Sequence, residues 1–293
     1  MAQALLSIGA HTYRRSWFGS CNARCAGHAA GKAPIRERRV KLMRRTTVWG
    51  AIVGVVLVLV AGFGSTAFGQ TATANQTTTQ GTSSSHIIHS EFTGNGKIDN
   101  KYFPLKPGTT FLYRGKSEGN AERDVMRVTD STKRIQGVKC VVVNDRVFVQ
   151  GKLEEKTFDW YAQDKEGNVW YFGENSKEYN NGHVVSTEGS WEAGKHAARA
   201  GIIMQAHPKV GQTYRQEYEK GVAEDLARVL KLNGSARVPY GSFHHVLVTR
   251  EWSPLDPGQV EHKYYAAGVG NIKEVAVKGA PETLELVKVK HTG

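Results

Sequence analysis

Five short motifs occur twice in this chain, in the same order and 102 to 105 residues apart. The first pair is Gly108-Thr109-Thr110-Phe111 with Gly211-Gln212-Thr213-Tyr214, and the last is Gly167-Asn168-Val169 with Gly270-Asn271-Ile272. Self-similarity at a fixed period indicates a duplicated structural unit. We therefore predict two related units, over residues 102–190 and 207–293, joined by a Gly-rich connection over residues 191–206.

Within both units, short apolar runs alternate with turn residues such as Asn181-Gly182 and Pro257-Gly258. This punctuation predicts an all-β, antiparallel fold. One segment, Ala223–Leu232, also has a partial helical period, which leaves a single minor helix open. Two curved sheets with unpaired edges gain by pairing with each other, so we expect the duplicated units to form one open barrel or one extended sheet.

Residues 43–69 have the pattern of an export signal: a charged start at Met43, an uncharged apolar run, and small residues before Gln70. We predict that the signal peptide is cleaved and that the protein is secreted or periplasmic. The alternative is a membrane anchor over residues 48–68 with the rest of the chain facing outside. Residues 1–42 are predicted to be a non-structural extension, which leaves Met1 or Met43 as the translation start. Residues 70–101, rich in Ser, Thr and Gln, are predicted to be a disordered linker.

The net charge of +12 is concentrated in the leader. Residues 70–293 contain 29 Lys and Arg against 26 Asp and Glu, without a basic run. Since duplex binding needs a clustered basic face, we predict no nucleic-acid partner. No metal or cofactor motif is present, and no obligate protein partner is indicated. Cys140, the one cysteine of the body, is expected to be a buried, inert thiol.

Aromatic residues are the main candidates for ligand binding. Phe158–Glu174 is predicted to be an aromatic hairpin in which Phe158 and Trp160 share one face and Asp159 and Tyr161 the other. Large aromatics pack cores or line apolar pockets. The candidate ligand-binding residues are Trp191, His207, Trp160, Trp170, Phe172 and Tyr265.

Acidic residues offer two further interpretations. Glu217, Glu224 and Asp225 form either a cation site or a solvated turn. Glu188 and Glu192 flank Trp191, as acids do in many glycan-cleaving sites, but neither has an identifiable partner that would perturb its pKa. No nucleophile has a recognisable base, so an enzymatic role is left open and a non-enzymatic one is favoured.

The stretches FPLKPGTTFLYRG, WYAQDKEGNVWYFGE and EHKYYAAGVGNIKE resemble a group of exported bacterial β proteins without known activity. The architecture is similar to that of periplasmic lipoprotein carriers (LolA/LolB-like), in which an incomplete barrel holds acyl chains. This resemblance implies an exported binding or carrier protein of the cell envelope, with an apolar, acyl or envelope-derived ligand. The alternatives are a secreted hydrolase of an envelope polymer or glycan, and an interaction module without a small ligand.

Overall fold

The computed structural model describes residues 91–292, so the predicted extension, signal segment and most of the linker lie outside it. Seventeen strands contain about two thirds of the described residues. They are β1 (Asp99–Asn100), β2 (Phe103–Pro104), β3 (Thr109–Ser117), β4 (Asn120–Ile135), β5 (Val138–Val149), β6 (Lys152–Gln163), β7 (Val169–Asn180), β8 (His183–Ser186), β9 (Trp191–Glu192), β10 (Arg199–Met204), β11 (Thr213–Arg215), β12 (Glu217–Tyr218), β13 (Leu226–Val238), β14 (Gly241–Ser253), β15 (Asp256–Ala266), β16 (Gly270–Lys278) and β17 (Glu282–His291).

Fifteen of these strands form one antiparallel sheet in the order β11-β13-β14-β15-β16-β17-β3-β4-β5-β6-β7-β10-β12, with β8 and β9 also paired to β7. The order is open, which confirms the all-β, antiparallel prediction and the open barrel or extended sheet. Residues 91–292 contain no helix long and apolar enough to cross a membrane. Most of the Ala223–Leu232 segment belongs to β13, where buried Ala227 and Val229 flank exposed Arg228 in the period of a strand.

The repeated motifs lie on corresponding strands. Gly167-Asn168 comes directly before β7 in the hairpin of β6 and β7, and the matching Gly270-Asn271 begins β16 in the hairpin of β15 and β16. The two predicted units are joined by the pairing of β17 with β3, in which Leu286 lies opposite Tyr113. Gly115 lies at this junction, where a Cβ atom would be only 1.7 Å from the carbonyl oxygen of Thr283. Glycine therefore sets how closely the two strands approach each other.

The two ends of the strand order are consecutive in the chain. Only Gln216 separates β11 from β12. β11 pairs with β13 of the second unit, and β12 pairs with β10 of the connection that follows the first unit. The segment over residues 213–218 therefore contacts both ends of the sheet.

The predicted linker extends too far into the body. Phe92 packs edge-on against Trp170 and Phe172, at ring-centroid distances of 6.1 and 5.4 Å, and Ile98 is 3% exposed. Both side chains belong to the core because they cover apolar surface that the strands leave open. The Ser/Thr/Gln-rich composition of the preceding residues gives no indication of where the core begins.

Candidate functional site

The buried face of the sheet is strongly acidic. Eleven of the 26 acidic side chains are buried, whereas Lys263 is the only buried one among 29 lysines and arginines of the described chain. Nine acids come together inside the sheet, and we call them the interior carboxyl cluster. They are Asp124, Asp145, Asp159, Glu174, Glu217, Asp225, Glu251, Glu261 and Glu274.

These carboxyl groups perturb one another from strand to strand. Burial raises the pKa of Asp124, and the charges of Asp145 and Glu274 raise it further. Burial and the charge of Asp159 both raise the pKa of Glu174, and a hydrogen bond with Tyr171 offsets only a small part of this effect. Ionising every member would place many negative charges in a low-dielectric interior. The cluster therefore keeps part of its protons at neutral pH.

Lys263 neutralises one side of the cluster. Its Nζ lies 3.0 Å from Glu251 Oε2 and 3.6 Å from Glu261 Oε2. Glu251 also accepts hydrogen bonds from the hydroxyls of Thr249 and Tyr265, at 2.6 and 3.0 Å. Burial lowers the pKa of Lys263, but the carboxylates of Glu251, Glu274 and Glu261 outweigh this effect and raise it. Lys263 therefore stays charged inside the protein.

A pocket opens onto this cluster where the two units meet. Its volume is about 20 Å³, and it is partly open to solvent. The residues before β3 and strands β3, β4, β5, β15 and β16, with the turn before β16, contribute to its lining. Its walls are mainly apolar and its polar groups come from the cluster and its neighbours. The lining residues are Phe103, Pro104, Leu105, Phe111, Tyr113, Asp124, Met126, Asp145, Tyr265, Val269, Gly270, Asn271 and Glu274.

Three carboxyl groups form the polar part of the pocket. Asp124 Oδ1 and Asp145 Oδ1 are buried, and neither has a hydrogen-bond partner in the described chain. Burial raises the pKa of Asp145, and it raises the pKa of Glu274 to about 8. The hydroxyl of Tyr113 is already committed, since it donates to the carbonyl of Asn271 at 3.0 Å. A ligand in this pocket would therefore meet carboxyl oxygens with free acceptor positions.

Three of the predicted ligand-binding residues, Trp160, Trp170 and Phe172, lie away from the pocket. In β6 the inward face carries Asp159 and Tyr161, and Tyr161 stacks on Tyr171 at 4.9 Å. Trp160 lies on the opposite face under the Lys133 ammonium, 3.1 Å from the ring centroid. Trp170 and Phe172 also lie on that opposite face, where Phe92 covers them. Side chains from other segments cover these three rings on the face opposite the pocket. None of the three therefore lines the pocket.

The remaining candidates are widely separated. Tyr265 lines the pocket and donates to Glu251, so the structure brings one of the six predicted residues to it. Trp191 is 3% exposed, donates from Nε1 to Glu217 Oε2 at 3.0 Å, and packs edge-on against Tyr171. His207 is exposed in the segment between β10 and β11. Ligand binding by these residues stays a prediction.

The acidic candidates are also divided. Glu217 and Asp225 lie close enough to raise the pKa of Glu217, after the larger effect of burial, whereas Glu224 Oε1 accepts from the backbone N–H of Gly221 and caps a turn. No group of three or more His, Cys, Asp or Glu side chains in residues 91–292 is arranged to hold a metal ion. Glu188 is exposed, and Glu192 is ion-paired with Lys133 and Lys195 at 2.7 and 3.0 Å.

Comparison with known proteins assigns no family. No protein-family model matches the chain, and no curated protein does. Among solved structures, the chain is similar to a protein of Parabacteroides distasonis described as a "putative lipoprotein", at 14% sequence identity and a TM-score of 0.32. The match covers 66% of this chain and 100% of that one. A similarity this weak supports no statement about function.

Proposed function

We propose that this is an exported, non-enzymatic binding protein that holds a small ligand in the pocket between its two units. The ligand would have an apolar body and, at one end, an amine or another hydrogen-bond donor. One observation carries the proposal: apolar walls lead to Asp124, Asp145 and Glu274, and Oδ1 of each aspartate is buried without a partner.

The apolar part of the proposal rests on the walls of the pocket. Phe103, Leu105, Phe111 and Met126 come from different elements and surround the same space. Ligand sites are typically concave, mostly apolar, and provided with a few convergent polar groups. The pocket has this composition.

The polar part rests on the carboxyl groups. An ammonium group can donate to two or three carboxyl oxygens at once, and charge-assisted hydrogen bonds are about twice as strong as neutral ones. A ligand carboxylate would instead bring a negative charge into an interior where burial already disfavours the ionised form of Asp124 and Asp145. We therefore expect the pocket to bind an amine more tightly than a fatty acid. Of the apolar and acyl ligands that the resemblance implies, the proposal favours those that end in an amine.

Competition for a neutral fluorescent probe tests this proposal. The purified chain would be incubated with N-phenyl-1-naphthylamine, and decylamine, decanol and decanoate would be added as competitors. We expect displacement by decylamine at the lowest concentration, then decanol, then decanoate. Equal displacement by all three would contradict the role of the carboxyl groups, and no probe binding would contradict the pocket.

A matched pair of variants locates the binding. Val269 lines the pocket, whereas Val277 is 50% exposed on the outer surface. Val269→Phe should fill the pocket and weaken probe binding at least tenfold, and Val277→Phe should leave it unchanged. Equal affinities for the two variants would place the probe elsewhere.

Export is part of the proposal and has a separate test. The predicted signal lies outside the described residues. N-terminal sequencing of the protein from its native cells should give a mature chain that begins at Gln70. Mature chains retaining residues 48–68 would favour the anchored alternative, and peptides from residues 1–42 would contradict a start at Met43.

A further inference from the structure

We propose that the outer face of strands β3 to β7 binds a flexible polyanion with closely spaced phosphate groups. The face carries six cations, which we call the basic array: Arg114, Arg123, Arg127, Arg146, Lys156 and Lys177. This inference does not depend on the pocket.

The array follows from the way the fold separates charge. Residues 91–292 contain 29 basic and 26 acidic side chains, a nearly balanced number. Eleven of the acids but only one of the bases are buried, which leaves 28 basic and 15 acidic side chains that are half-buried or exposed. The outer surface is therefore strongly basic, although the sequence contains no basic run.

Like charges lie directly opposite each other within the array. Lys177 on β7 pairs in register with Lys156 on β6, and Lys156 pairs with Arg146 on β5. On the neighbouring strands, Arg114 of β3 is opposite Arg123 of β4. Like charges directly opposite each other across strands destabilise a sheet, whereas opposite charges stabilise it.

The array has few acidic partners, although the charge of Arg146 acts on the buried Asp145 and tends to lower the pKa of that carboxyl group. None of its six residues forms an ion pair with an acid in the part of the chain that the structure describes. Arg146 Nε is buried and has no hydrogen-bond partner among those residues. The intervening outward residues Val125, Asn144 and Phe158 are uncharged. An anion would supply the missing partners.

The shape of the array favours a polymer over a single small anion. Its cations are spread over five neighbouring strands, which at about 4.8 Å between strands corresponds to roughly 19 Å. They cover a surface and do not converge on one point. Most rings nearby are already engaged, since Arg123 lies over Phe148 at 4.1 Å and Lys156 lies near Phe158 at 4.9 Å. The face therefore offers charge along a path without a row of free stacking platforms of the kind used to bind single-stranded nucleic acid.

Titration of the mature chain with long-chain inorganic polyphosphate tests the proposal. Binding should weaken as salt rises, because each neutralised phosphate releases counterions. The triple variant Arg146→Gln/Lys156→Gln/Lys177→Gln should lose at least tenfold in affinity and show a smaller salt dependence. It should melt at or above the temperature of the unmodified chain, since it removes like-charge repulsion.

A matched control separates the array from net charge. Lys165→Gln/Lys209→Gln/Lys220→Gln removes the same charge from three exposed turn and loop lysines. The control should lose less than threefold in affinity. Equal losses in the two variants would contradict a defined array.

Two further ligands identify the class of partner. Tighter binding to oligothymidylate of equal charge than to polyphosphate would overturn the proposal in favour of nucleic acid. Tighter binding to vesicles of phosphatidylcholine and phosphatidylglycerol at a 3:1 ratio would overturn it in favour of a membrane surface. Weak, salt-sensitive binding to both, with polyphosphate preferred, would support it.

Discussion

Lys263 on β15 forms a buried ion pair with Glu251 on β14, with 3.0 Å between Nζ and Oε2. The two side chains are 4% and 7% exposed. A buried pair is costly to assemble, but removing one partner leaves the other charge uncompensated. The negative charges of the interior therefore depend for compensation on Lys263, the only buried lysine or arginine among the described residues.

Lys263→Met should destabilise the protein by roughly 3–5 kcal/mol, because Glu251, Glu261 and Glu274 would lose their shared counter-charge. Urea unfolding measures the loss. The control is Lys97→Met, which removes an exposed pair with Asp99, whose side chains are 68% and 53% exposed, and should cost less than about 1 kcal/mol. Similar losses for the two variants would contradict a special role for Lys263.

Stability should fall as pH rises from about 4 to about 8. Burial raises the pKa of Glu274 to about 8 and that of Asp225 to about 7, whereas both groups titrate near pH 4 in the unfolded chain. The folded state therefore binds protons that unfolding releases within this window. The free energy of unfolding decreases there by about 1.4 kcal/mol per pH unit for each such group, and the decrease ends above the folded pKa values.

Differential scanning calorimetry at constant ionic strength checks this dependence. The melting temperature should be higher at pH 5 than at pH 8.5, by on the order of 10 °C. Glu274→Gln should flatten the upper part of the curve, because its amide does not titrate. A melting temperature that increases from pH 5 to pH 8.5 would show that the interior carboxyl groups are ionised in the folded state.

The junction between the two units should be intolerant of any side chain at Gly115. The Cβ of Gly115→Ala would meet the Thr283 backbone at 1.7 Å, so β17 and β3 would have to separate. We expect a loss of about 3 kcal/mol or more, at the upper end of overpacking effects. Gly241→Ala is the control, since its Cβ would meet only Phe243 ring atoms at 3.6 Å. Equal thermal stability of the two variants would argue against the β17–β3 pairing.

The duplicated hairpins were predictable because turn residues and motif order are local signals. Gly167-Asn168 precedes β7 and Gly270-Asn271 begins β16, so both pairs mark the second strand of a hairpin, and the alternation around them indicates strands. The pairing of the two units is a long-range property, and the repeat indicated only that two sheets with edges must be joined. The joining of the two sheets was predicted only because unpaired strand edges are unfavourable in general.

The interior carboxyl cluster was not predicted, for a physical reason. Charged residues normally face water, so alternation alone does not indicate that Asp159 points inward. In the structure, Asp159 accepts a hydrogen bond from the hydroxyl of Tyr171 at 2.9 Å, while Lys133 covers Trp160 on the opposite face. One local signal existed: Asp145 interrupts a row of valines at every second position of β5, where an outward charge would not be expected.

The hydrogen bond from Trp191 to Glu217 gives a prediction about the connection between the units. Trp191→Phe keeps the ring packing against Tyr171 but removes the donor to Glu217 Oε2, which would leave both oxygens of that carboxyl group without a partner. The expected cost is about 1–3 kcal/mol. In the unmodified chain this hydrogen bond lowers the pKa of Glu217. Its loss should therefore raise the pKa of Glu217 further and steepen the loss of stability with pH.

Trp252→Phe, at a half-buried tryptophan beside Arg250, is the control and should change neither the stability nor its pH dependence by much. Chemical denaturation of both variants at pH 5 and pH 8 measures the two effects, and an unchanged pH dependence in Trp191→Phe would show that Glu217 does not titrate in this range.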